Sequence, residues 1–98
     1  MLSSKDKILD ISVNLARVSE WILSDSKSGR VDQFLKETKY SLQSIDSEQV
    51  PPDFKPTLKS FRQEFKKLLK DKRTEKKEEW AEIALTWANI LQHRSSLL

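Results

Sequence analysis

Four stretches of this chain carry an apolar or near-apolar side chain alternately every three and every four positions. They are Ile8, Ile11, Leu15, Val18 and Ile22; Val31, Leu35, Thr38, Leu42 and Ile45; Phe54, Leu58, Phe61, Phe65 and Leu68; and Trp80, Ala84, Trp87 and Leu91. An α-helix completes a turn in 3.6 residues, so this spacing holds the side chains on one stripe of a helix. Each stretch is therefore predicted to be a helix with a single apolar face, and such faces are stable only when buried against one another. A chain of 98 residues has room for one shared core. The expectation is an all-α protein forming a single domain over residues 1–98.

The punctuation between the stripes sets the order of the helices. Ser3 or Ser4 can cap a first helix over residues 4–24 by accepting a backbone N–H bond, with Asp6 well placed in its first turn. Asp25, Ser26, Ser28 and the only glycine, Gly29, supply turn chemistry, and Ser28 is a cap for a second helix over 29–45. Pro51 and Pro52 forbid its continuation, because they remove N–H donors and push the preceding residue to extended geometry. Asp53 is then an N-cap for a third helix over 54–71, with Pro56 in the first turn where a missing N–H costs little.

The segment from Leu69 to Trp80 is the ambiguous one, since everything between them is charged or polar and neither glycine nor proline interrupts it. Extending the third stripe lands on Lys72, Glu75, Glu79, Glu82, Thr86 and Asn89, so the fourth stripe restarts out of phase. Lysines and Arg73 gather before Thr74, while Glu75, Glu78, Glu79 and Glu82 gather after it. Cations favour a helix C-terminus and anions an N-terminus. A turn near residues 71–74 follows, capped by Thr74 or Asp71, with a fourth helix over 75–93. Short connections then favour a four-helix antiparallel up-down bundle. The alternative is three helices, the last running unbroken through residue 93, whose uncovered charged middle would imply a dimer.

Composition narrows the function more than it defines it. Hydrophobic residues make up 37% and charged residues 34%, a polar balance but far from the depletion that predicts disorder. No apolar run approaches the roughly 18–20 residues that span a bilayer, and Met1 to Lys7 lacks the apolar segment of a signal peptide. A cytoplasmic protein without membrane association is expected. The absence of cysteine removes disulfides, thiolate catalysis and cysteine-based zinc sites. His93, the only histidine, has Asn89 and Ile90 at the preceding helical contact positions, so the Glu-x-x-His pairing of bundle metal sites is missing. With one glycine there is no nucleophile elbow, phosphate-cradling loop or dinucleotide fingerprint. The serines read as caps and solvated surface. No catalytic residue, metal or cofactor is expected, and the protein is read as a non-enzyme.

Two features point to binding. Residues 50–98 hold 11 basic and 7 acidic groups, against 7 and 8 in residues 1–49. Lys66, Lys67, Lys70, Arg73 and Lys77 would share much of one flank if a helix persisted through them, with Lys59 and Arg62 extending the charge. Such a ridge can neutralise phosphates and bind nucleic acid without reading sequence. Helix-end electrostatics already account for much of it, however, and no Asn or Gln lies between Lys66 and Lys77 to read bases. Trp80 and Trp87 stack along one helix face as core side chains, whereas Trp21 lies one position before the stripe residue Ile22 and either closes the core or anchors a partner. Trp21, Leu9, Val13 and Leu23 are the off-stripe apolar candidates for a contact surface. The first expectation is a small helical-bundle module that binds another protein or a second copy of itself as a homodimer; the second is weak nucleic-acid binding through the basic segment.

Overall fold

Ser3 opens the first helix, α1 (Ser4–Trp21), with a reciprocal cap: its hydroxyl accepts from the Asp6 N–H at 3.1 Å and its own N–H donates to the Asp6 carboxylate at 3.4 Å. Three further helices follow, α2 (Ser28–Gln43), α3 (Lys55–Asp71) and α4 (Lys77–Arg94), and a 3-10 turn over Ser95–Leu97 ends the chain. The computed structural model describes residues 3–24, 28–71 and 76–98. The helices form the four-helix bundle expected from the stripes. Paired contacts give the antiparallel directions. Lys7 meets Ser44 at one end of α1 and Trp21 meets Phe34 at the other. Thr57, Phe61 and Leu68 of α3 meet Arg94, Trp87 and Trp80 of α4 in reverse order.

The stripes form the core. Every stripe residue is buried except Ile22 and Trp87, which are half-buried and pack against the rest. Val50, Thr57, Ala81 and Ala88 are buried as well. The expectation that the serines are caps or solvated surface fails at Ser12, Ser19 and Ser95, all buried. Each donates its hydroxyl to a main-chain carbonyl: Ser12 to Ala88 across the bundle at 2.8 Å, Ser19 to Ala16 and Ser95 to Gln92 within their own turns. A small side chain whose hydroxyl finds a carbonyl can be buried at low cost.

The helix boundaries differ from expectation at several points. Ser28 is the first residue of α2 rather than its cap, and α2 ends at Gln43 rather than at residue 45. Following Trp21, α1 tightens into i to i+3 bonds, Leu23 N–H to Glu20 and Ser24 N–H to Trp21, rather than continuing to residue 24. Gly29 lies inside α2 without a positive φ, so it is a helical residue and not a left-handed turn residue. Asp53 falls one residue short of the cap position. Two overlapping turns, Phe54 N–H to Pro51 and Lys55 N–H to Pro52, wind the chain into α3, and the Phe54 carbonyl accepts the first helical bond from Leu58. Finally, Asp71 closes α3 instead of capping α4, whose N-cap is Lys76 with a non-helical backbone (φ −90°, ψ 55°). Asp25, Ser26, Thr74 and Glu75 lie outside the described residues.

The break between α3 and α4 excludes the unbroken C-terminal helix, and Trp80 shows why the reversed arrangement is stable. Its buried indole N–H donates to the Leu68 carbonyl at 2.9 Å. Leu68 is among the last four residues of α3, whose carbonyls have no partner within the helix. Residues from two other helices serve the end of α2 similarly. Arg62 donates to the carbonyls of Leu42 and Ile45 at 3.3 and 2.7 Å and to the Ser47 hydroxyl, and the Lys7 ammonium donates to the Ser44 carbonyl at 3.1 Å. Positive charge at a helix C-terminus also complements the macrodipole.

Candidate functional site

Two surfaces emerge, one built on α1 and the other on α3. The first lies along the outer edge of the α1–α4 contact. Leu9, Val13, Ala16, Glu20, Ala88 and Gln92 line most of a groove of about 290 Å³ there, together with Ser12 and Arg17. Its lining is mostly apolar, with Ser12, Arg17, Glu20 and Gln92 as the polar members, and the Arg17 guanidinium turns toward α2, 5.8 Å over the Phe34 ring. Val13 stands 48% exposed on this edge, and Leu85, one turn from Ala88 on the flank of α4 that carries Gln92, is 45% exposed.

The four apolar contact candidates separate in the structure. Leu9 and Val13 come together in this groove. Trp21 lies on the other flank of α1, half-buried, its ring 5.0 Å from that of Phe34 on α2 at 56°, with the Arg30 guanidinium 5.8 Å above it. There it closes the end of the α1–α2 contact. Leu23 is exposed in the turn after α1. The residues that sequence reasoning missed are Ala16, Leu85 and Ala88. Ala16 and Ala88 are too small to register as apolar anchors, and Leu85 is off the fourth stripe.

The second surface is the flank of α3 that faces the connection from α2. Lys66 and Lys70 lie on it, and the helical spacing continues toward the N-terminus through Lys59 and Lys55, all four exposed. Lys67 lies on the opposite flank, where its ammonium is 3.7 Å from the Glu64 carboxylate and it borders a groove shared with Asp71, Lys76 and Glu79. Lys77 belongs to the first turn of α4, and Arg73 is outside the described residues. The expected ridge from Lys66 to Lys77 is thus split. Arg62, read as part of that charge, is half-buried and engaged with the end of α2.

The described residues assemble no catalytic constellation. His93 is exposed in the last turn of α4, and no group of three or more His, Asp or Glu side chains among the described residues is arranged to hold a metal ion. No described helix is long and apolar enough to cross a membrane. Comparison with protein-family models, with curated proteins and with solved structures finds no match to this chain.

Proposed function

We propose that this protein is a non-enzymatic interaction module that works by pairing through the outer face of α1, and that its partner there is a second copy of the chain. The observation that carries this is Val13, nearly half exposed in the middle of α1 with Asp10 three residues before it and Arg17 four residues after it. Two copies of α1 laid antiparallel about a two-fold axis set Asp10 of each against Arg17 of the other, with the two Val13 side chains between them. A surface that complements itself in this way is the requirement of an isologous dimer. Leu9 and Leu85 extend the apolar centre on the side of the groove.

Charge reversal tests the pairing. Asp10→Arg and Arg17→Asp each set like charges against each other twice per dimer, while the double variant restores attraction with the signs exchanged. Sedimentation equilibrium is expected to show a concentration-dependent dimer for the wild type, at least tenfold weaker for either single variant and recovered in the double one. A chain that stays monomeric at every concentration, or singles that associate like wild type, overturns self-pairing and leaves the face to a different protein.

A further inference from the structure

We infer that the α3 flank formed by Lys55, Lys59, Lys66 and Lys70 is a sequence-nonspecific contact for the phosphate backbone of nucleic acid. The four exposed lysines fall on one line along the helix, at steps of four, seven and four residues. At 1.5 Å per residue the line is about 22 Å long, against one phosphate per 3.4 Å along each strand of a duplex. The only carboxylates of α3, Glu64 and Asp71, lie on the other flank beside Lys67 and Lys76, so they do not quench it. Glu48, from the connection after α2, is the one acid among the described residues that borders the groove of about 360 Å³ between Lys55, Lys59, Gln63 and Lys66.

Two observations favour nucleic acid over an acidic protein. The chain is basic overall, with a pI of about 9.2, the electrostatic footprint of a polyanion binder when its lysines align on one face. The exposed large apolar residues, Val13, Leu23, Tyr40, Ile83, Leu85 and Leu97, all lie off α3, so no exposed large apolar side chain stands on this flank to anchor a protein partner. Gln63 is the single amide on the flank, and one amide gives little readout of bases. No residue of α1 or α4 lines this groove, so the proposal is independent of pairing through α1.

Fluorescence anisotropy of the full chain with a labelled duplex over a salt series tests the contact. Four neutralised phosphates give a slope of log affinity against log salt of about −3.6 for duplex and about −2.8 for single strand, roughly a hundredfold loss in duplex affinity between 50 and 200 mM salt. Changing Lys55, Lys59, Lys66 and Lys70 together to Gln is expected to abolish binding. A charge-matched control, Lys5, Lys36, Lys39 and Lys67 to Gln, is expected to keep most of it, because all four are exposed elsewhere on the fold. Circular dichroism confirms that both variants remain folded. Absence of binding at low salt, equal loss in the control, or equal competition by polyglutamate at matched charge would overturn the proposal, the last by assigning the ridge to acidic proteins.

Discussion

The two sides of this bundle are held together in opposite ways. Along α1 and α4 small side chains are buried or half-buried among the large ones: Ser12, Ala16 and Ser19 on one helix, Ala81, Ala84 and Ala88 on the other, with Ser12, Ala16 and Ala88 brought together where the helices meet. The backbones approach closely there, and Ser12 bonds directly to the α4 main chain. On the α3 side the space is filled by Phe54, Leu58, Phe61, Phe65 and Leu68, with the Phe61 ring 5.7 Å from that of Phe65 and 5.4 Å from that of Trp87, tilted against both. Close backbone approaches to α3 are correspondingly few. The first side depends on the absence of bulk and the second on its presence, and each leaves a different exterior. A tight seam of small residues leaves its outermost apolar neighbours, Val13 and Leu85, in view. The aromatic face of α3 is wholly consumed by the core, and its exposed residues are polar apart from Pro56, five of them lysine.

This contrast predicts that the two sides respond to volume with opposite signs. Phe61→Ala removes a fully buried ring that two other aromatics pack against and should cost about 3–5 kcal/mol, much of the 5–15 kcal/mol typical of a domain. Urea denaturation measures it; a loss below about 1 kcal/mol would show that the α3 side is loosely filled. Across the bundle, Ala84→Leu adds bulk at a fully buried seam position and should cost about 1–3 kcal/mol, although the same change on a solvated helix face is nearly neutral. A neutral result would mean that the seam has room to spare. The smallest effect is expected for Ser12→Ala, about 1 kcal/mol, since it deletes one hydrogen bond while the Ala88 carbonyl keeps its place in the α4 ladder. A cost well above that would give the bond a larger share in setting the seam.

The large side chains were legible in the sequence because bulk and period coincide. From Ile8 to Leu91 the three-and-four spacing names the core almost residue for residue, and the out-of-phase restart after Leu68 marks the break that Trp80 then stabilises. The small-residue seam was not, since Ser12 and Ser19 carry hydroxyls that stand as polar until a carbonyl on another helix is placed beside one of them. Their spacing of seven, matched by that of Ala81 and Ala88, was the available signal. Arg62 misled for a related reason: its carbonyl partners lie 17 and 20 residues earlier, beyond any local pattern. The basic ridge was half legible. Density of charge drew attention to Lys66 through Lys77, whereas helical phase separates Lys67 from Lys66 and Lys70 and joins them instead to Lys59 and Lys55.

The outer face of α1, where this protein is proposed to meet its partner, can be probed residue by residue. The most direct measurement is an ¹⁵N–¹H correlation spectrum recorded over a dilution series from millimolar to low micromolar protein. Concentration-dependent shifts should cluster at Leu9, Asp10, Val13, Ala16, Arg17 and Glu20, with a smaller group around Leu85 and Gln92, while α3 stays unchanged. Spectra that do not change with concentration, or shifts centred on α3, would contradict pairing through α1.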